Sequence, residues 1–433
     1  MQRYMGRHTQ SFRTISSFTP LLLAFAGIAV GQQTASFHIT EMPGQAPLGM
    51  IEIQGVGAGV FDPALWSSNQ LHWVPDVRRP LLAPRMSGVW RNIYAPSAIR
   101  EDNGWRFFYS AWDGIESGND RVYSSTTPDF IDFYDRRTII HNGDFVHVSN
   151  INVQRSEDGR LHGIATCWPA QKKTNKPIYF SSADGGQTWN GSNAMYRAQK
   201  KDIVKMQGYD KYETGDLNGA NVLLRDHGKW MLYFTNWGDR GKLYWSEGAE
   251  PNSFTLGGLA LETEHAVNDV KKFTSSGTDW YVMALHKKGD VGLTAKDCDK
   301  LWYSLSNDGK VFGKEQRIPG ARGEDDRFIF AVGFVTDSDR ILGVLYGAGS
   351  SERCERNRIF GYWLQKRVVL TADKDYSRGN GEEVEAEGAL GPDRQWFRLP
   401  HGVGMQAATL TVFGEDGTTA LGTVGVNLKT GSV

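Results

Sequence analysis

Residues 92–112 read NIYAPSAIRE (92–101), DNG (102–104) and WRFFYSAW (105–112), and this stretch decides the fold. An apolar run stops at a three-residue polar turn and resumes as a run dense in rings, the pattern of two antiparallel strands joined tightly. A third strand follows in RVYSSTTPDF, 121–130. The unit then returns. SNINVQRS (149–156), RLHGIATCW (160–168) and PIYFSSADGGQTW (177–189) form the second copy, and NGANVLLR (218–225), KWMLYFTNW (229–237) and KLYWSEGAEPNSF (242–254) the third. AVNDVKKF (266–273), DWYVMALH (279–286) and LWYSLSNDGKVF (301–312) form the fourth; FAVGFVTD (330–337), RILGVLY (340–346) and RIFGYWLQKRVVL (358–370) the fifth. With Ser97, Asn152, Asn221, Asp269 and Gly333 as equivalents, the spacings are 55, 69, 48 and 64 residues.

Regular strand units separated by turn signals predict an all-β chain folded as a five-bladed β-propeller with a short C-terminal β appendage. Composition agrees: 50 glycines supply turns, and 14 Trp, 16 Tyr and 21 Phe supply flat rings for sheet-on-sheet cores. A six-bladed ring with residues 40–90 as an extra blade is the rival; five is preferred because that segment shows no comparable hairpin. The expected organisation is a signal peptide over 1–31, then a segment over 32–90 adding an outer strand and a pocket loop around Trp66 to Trp73. The propeller covers 91–370, and 371–433 holds an acidic linker and a β-hairpin packed on it.

Ser182-Ala183-Asp184-Gly185-Gly186-Gln187-Thr188-Trp189 fits the pattern S-x-D-x-G-x-T-W, and Ser306-Asn307-Asp308-Gly309 with Phe312 is a degenerate copy. Here Asp caps a hairpin, glycine turns it, and the aromatic plugs the gap between strands. The pattern resembles the Asp boxes of sialidases and other sugar-handling propellers.

Arg3, Arg7 and Arg13 precede the apolar run PLLLAFAGIAV (20–30), with Ala29 and Gly31 as small residues before a cut ahead of Gln32. That run is too short to span a bilayer and reads as an export signal, so a secreted or periplasmic protein is expected. Cleavage leaves a formal charge of −4 from the −1 of the whole chain. With no basic stripe, nucleic acid is not an expected partner, nor is a membrane after cleavage; the chain is read as a monomer. Cys298 and Cys354 fall in neighbouring loops and could pair in an oxidising compartment, while Cys167 sits in a strand.

The turns joining first to second strands are short, whereas the second-to-third connections are long and variable. Long loops on one face of a rigid scaffold carry function, so the pocket is expected there. The second strands end at Trp112, Trp168, Trp237, His286 and Tyr346, rings on which sugar C–H faces can stack. Asn152, Asn218, Asn221 and Asn268 in the first strands are poor strand formers and suit a polyhydroxyl ligand; Asp239 and Arg240 are further substrate contacts. For hydrolysis two carboxyl groups are needed. Asp269 is the first choice as base or nucleophile, Glu213 or Asp216 as acid, with Asp113 tuning them. No metal-ligand spacing occurs and no cofactor is expected, although a propeller axis can hold a structural Ca²⁺.

The stretch YAPSAIREDNGWRFFYSAWD (94–113) resembles the first blade of five-bladed glycoside hydrolases such as family 43 and, more loosely, family 32. The resemblance implies hydrolysis of furanoside or pentose-rich saccharides. It also departs from that family: Ala95 stands before Pro96-Ser97 where the family has a base Asp. Asn218-Gly219-Ala220 and Val267-Asn268-Asp269 stand where its Glu-Gly-Pro run would carry the acid. A secreted glycoside hydrolase is therefore the leading reading. A noncatalytic carbohydrate-binding propeller is the alternative, and a protein-interaction propeller ranks third.

Overall fold

The computed structural model describes residues 38–41, 50–83, 92–112, 120–169, 174–192, 195–217, 221–239, 241–287, 298–351, 356–372, 383–398 and 407–427. These described residues are all-β apart from the short helix Pro63–Ser68 and two 3-10 turns. Five antiparallel meanders succeed one another. The first runs Asn92–Glu101, Gly104–Trp112, Arg121–Thr127, Tyr134–His141, with Tyr196–Arg197 added in parallel at its edge. The second is Val148–Arg155, Leu161–Cys167, Lys176–Ser182. The third is Val222–Asp226, Lys229–Thr235, Lys242–Glu250, Ser253–Glu262, with Lys205–Gln207 at its edge. The fourth is His265–Ser275, Thr278–Lys287, Leu301–Ser306, Gln316–Ile318. The fifth is Phe328–Asp337, Arg340–Gly349, Arg358–Leu364, and its fourth strand is Trp73–Pro75, borrowed from the N-terminal segment.

The first strand of each sheet lies beside the first strand of the next, and the fifth beside the first. One apolar cluster fills each seam in the same cyclic order, from Phe108, Val153 and Trp189 between sheets one and two to Tyr109, Leu345 and Trp363 between five and one. Sheets covered on both faces need no polar side, which is why all of Gly104–Trp112 is buried. The closing seam is tight. A Cβ at Gly333 would stand 2.3 Å from the Pro96 carbonyl oxygen and one at Gly347 2.6 Å from Tyr94 Cβ, so only glycine lets these backbones meet. The S-x-D-x-G-x-T-W stretch supplies a plug: the Asp184 carboxylate accepts from Thr188 N at 2.9 Å, and Trp189 is buried edge-on to Phe108. Asp308 makes the equivalent turn by accepting from Val311 N at 2.9 Å, and Phe312 meets Tyr233 edge-on in the third seam.

Three expectations change. Residues 38–54 do contain an antiparallel pair, His38–Glu41 with Met50–Gln54, but it joins Arg394–Arg398 and Gly388–Ala389 in a sheet outside the ring. The segment after it is no pocket loop: Asp62 caps the helix at Ala64 N, and Trp66 is buried edge-on against Tyr303. The acidic stretch near 383–389 is not a plain linker. Glu383–Glu385 pairs with Val368–Ala372, in one sheet with the hairpin Ala407–Phe413 and Ala420–Asn427.

Asp269 ties the ring at its centre. Its carboxylate is buried, accepts from Asn152 Nδ2 of sheet two at 3.0 Å and from Phe334 N of sheet five at 3.0 Å, and pairs with Lys271 Nζ at 3.1 Å. Removing one member of such a buried network strands the others without partners. Asp269→Ala is expected to lower unfolding free energy by about 3–5 kcal/mol in denaturant titrations; a loss within the range of ordinary surface substitutions would show the tie to be dispensable.

Candidate functional site

The loop face is shaped by a repeated irregularity. Four of the inner strands carry a register shift near their start, at Tyr94/Ser97, Ser149/Asn152, Val267/Asp269 and Ile329/Ala331. Two residues at these bulges have left-handed backbone although neither is glycine, Ala95 at φ 52° and Asn150 at φ 56°. Bulges re-aim side chains, and such strain persists only where surrounding structure enforces it. Asn150 is held by its N–H, which donates to Ser110 Oγ at 2.8 Å.

Beside these bulges a polar chain crosses from sheet one to sheet three. Asp120, one residue before the third strand of sheet one, is buried beside Tyr94. Its Oδ2 lies 3.9 Å from His147 Nδ1. His147 Nε2 meets Asn175 Oδ1 at 2.9 Å, and Asn175 donates from both N and Nδ2 to Asp216 Oδ1 at 2.8 Å. Asp216 N donates in turn to Asn236 Oδ1 at 3.0 Å. Rings border the chain: Trp168 lies 5.4 Å from the His147 ring, and Trp237 N donates to the Asp216 carbonyl at 2.8 Å. The indole N–H groups of Trp112 and Trp168 and Asp120 Oδ1 are buried with no hydrogen-bond partner among the described residues.

Electrostatics separates the two carboxyl groups. Burial pushes Asp120 up to about 7, against the opposing hydrogen bond of Tyr94. Asp216 is half-buried, and its Oδ2 takes no hydrogen bond from a described residue. His147 is lowered by burial, against the opposing influence of Asn175 and Asp216. The polar chain thus offers a carboxyl group that keeps its proton up to about pH 7, a neutral imidazole and a second carboxyl group with an open oxygen.

The other sequence candidates are placed differently. Asp113, Asn218, Arg240 and Cys354 lie outside the described residues. Asp269 has both oxygens engaged within the ring. The three described asparagines hold protein partners: Asn152 the Asp269 carboxylate, Asn221 the Thr166 hydroxyl at 2.8 Å, and Asn268 the ring of His286. His286 is buried, which lowers its pKa to about 3. Tyr346 is fully buried and donates its hydroxyl to Asp326 Oδ2 at 2.9 Å, so its ring fills a seam. Glu213 is exposed on the turn before Asp216. Asp239 accepts from the Tyr244 hydroxyl and pairs with Lys211 at 3.1 Å; Tyr244 and the neighbouring lysines hold its carboxyl below the usual range, with burial opposing. Among the described residues no cluster suits a metal ion, and the Lys271 ammonium already neutralises Asp269. Asp120, His147 and Asn175 were not singled out from sequence, because only the fold brings three loop ends together.

A groove of about 1000 Å³ opens on the opposite, short-turn face, near Arg100, Trp105, Tyr134 and Arg155. Its arginines are spent on Asp337 at 3.3 Å and Glu101 at 3.8 Å, and no carboxyl group there is enclosed as Asp120 is.

No family model matches this chain. No curated protein matches it in sequence. Solved structures do match in fold. A protein of Bacteroides thetaiotaomicron described as a candidate glycosidase aligns with TM-score 0.50 and 12% identity over 71% of this chain and 99% of its own. BT0996, solved as an RGII complex, aligns with TM-score 0.50 and 13% identity over 70% of this chain and 95% of its own. The chain therefore has a glycosidase-like β-propeller fold.

Asp120 makes stability depend on pH. Its folded pKa is raised from 3.8 to about 7, so its favourable contribution is fully present below about pH 4 and is lost as pH rises toward 7. Denaturant titrations are expected to show the wild type losing stability relative to Asp120→Asn between these limits and running parallel to it above them. A constant difference from pH 4 to 8 would place the group in a solvated setting.

Proposed function

We infer that the five seamed sheets are the blades of a five-bladed propeller and that the chain hydrolyses glycosidic bonds at its loop face. The observation that carries this reading is Asp120, a carboxyl group enclosed beside Tyr94 and separated by one imidazole from the Trp168 ring. Glycoside hydrolysis needs a carboxylic acid to protonate the leaving oxygen and a second carboxylate to serve as base or nucleophile. Asp120 suits the first task, since it still holds its proton near neutrality. Asp216 suits the second, with one oxygen fixed by Asn175 and the other open. Trp168 and Trp237, both partly exposed, offer faces for sugar C–H groups, whereas Trp112 is buried. Asp269, the first choice from sequence, keeps the role of tying blades, and Asp113, beside Trp112, is proposed to hold a substrate hydroxyl. The fold shared with a candidate glycosidase agrees with this reading. Furanoside or pentose-rich saccharides are the proposed substrates, and export after residue 31 would bring the chain to them.

A noncatalytic carbohydrate-binding propeller is the second reading, favoured by Ala95. An apolar, positive-φ residue occupies the bulge where the resembling family carries its base.

The test is release of reducing sugar from a panel of plant and bacterial polysaccharides. Asp120→Asn and Asp216→Asn are each expected to lower kcat by about 10²–10⁴-fold, the usual worth of positioned acid–base groups. Wild-type kcat should fall as pH rises through about 7, because the acid must be protonated. Undiminished hydrolysis by Asp120→Asn would sink the assignment; calorimetric sugar binding with no turnover by wild type would select the second reading.

A further inference from the structure

One rank of side chains on sheet one is used by neither the core nor the polar chain. Val122, Ile140 and Tyr196 form a buried rank across three adjacent strands, with Val122 opposite Ile140 and Ile140 opposite Tyr196. One residue outward, His141 pairs with Arg197, and Arg121, the residue before Val122, continues the register toward His141. Side chains one residue apart on a strand point to opposite faces. Three basic residues therefore stand side by side on one face at the loop end of the sheet. Arg121 and Arg197 both bring positive charge to bear on His141, so an uncompensated rank of this kind calls for a counter-charge.

The protein does not provide one among the described residues. Neither Arg121 nor Arg197 has an ion-pair partner there, and Arg121 Nε is buried with no hydrogen-bond partner. The nearby carboxylates are engaged elsewhere: Asp144 accepts from Lys200 N at 3.2 Å, and Asp202 from the Tyr196 hydroxyl and Gln199 N, each at 2.8 Å. His141 completes the set as a neutral donor. Gly143 N donates to its Nδ1 at 3.1 Å, which leaves the ring proton on Nε2. Burial, then Arg121 and Arg197, lower its pKa; no carboxylate offsets them. Arg121 directly follows Asp120, so the rank begins one residue along the chain from the candidate site.

We propose that Arg121, His141 and Arg197 form an anion subsite that receives a carboxylate or sulfate group carried by the saccharide, so that the ligand class is an acidic sugar chain. Planar guanidinium groups suit such oxyanions through paired N–H donors. This assignment rests on the carbohydrate reading above, and binding tests it apart from catalysis.

Calorimetry on the whole chain would compare trigalacturonate, its neutral methyl ester and inorganic sulfate, with the double variant Arg121→Gln/Arg197→Gln beside wild type. Wild type is expected to bind the acid form about tenfold or more tightly than the ester, the worth of one charge-assisted hydrogen bond. The double variant should bring the two affinities together, with melting temperature reporting that the fold persists. Higher salt should weaken only the acid form. Equal binding of acid and ester by wild type, or a preference the double variant keeps, would overturn the subsite. Sulfate binding as tightly as trigalacturonate would overturn its assignment to saccharide and leave a bare anion site. Undiminished hydrolysis by Asp120→Asn has no bearing on these affinities, so the two readings fall separately.

Discussion

A buried carboxylate at the meeting point of several sheets constrains everything else in this protein. Asp269 reaches Asn152 in one direction and the Phe334 backbone in another, while Lys271 from its own strand neutralises it. A charge in that position is stable only when fully partnered. Its partners come from sheets two, four and five, so the inner strands must converge with fixed registers. The bulges follow from the same demand. A strand that starts at the loop face and then packs tightly around a common centre has to shed a residue, and Ala95 and Asn150 accept left-handed backbone to do so.

Much of the architecture was legible in the sequence because each unit declares itself locally. The Asp-Asn-Gly turn at 102–104, the ring-dense second strand and the Trp189 plug are short-range signals, repeated with the same order of parts. The same locality explains what was misread. Met50–Gln54, already paired with His38–Glu41, finds its other partner in Arg394–Arg398, more than three hundred residues away in sequence, and no nearby pattern announces that pairing. Trp66 looked like a loop aromatic because its contacts, Tyr303 and Phe334, belong to sheets formed much later in the sequence.

The site divides along the same line. From sequence, turn lengths point to the loop face and an acid in a glycine-rich approach points to Asp216, and both enter the proposed site. It also read the inner-strand asparagines as ligand groups, whereas Asn152, Asn221 and Asn268 use their amides to hold neighbouring strands or rings. A polar residue in a strand signals that some hydrogen bond must be made and says nothing about the partner. Asp120 carried no signal at all: its peculiarity is enclosure, a property of the neighbours that fold around it.

The borrowed strand Trp73–Pro75 has a consequence for how the molecule is made. The last sheet is finished by residues synthesised long before its other three strands, so the circle cannot shut until most of the polypeptide has left the ribosome. Until then the edge Arg358–Leu364, rich in Ile, Phe, Tyr, Trp and Leu, offers unpaired backbone groups beside apolar side chains, the combination most prone to pair with another nascent copy. Holding back its own early segment as the final fastener gives the protein an internal competitor for that edge, always at hand and in the right orientation.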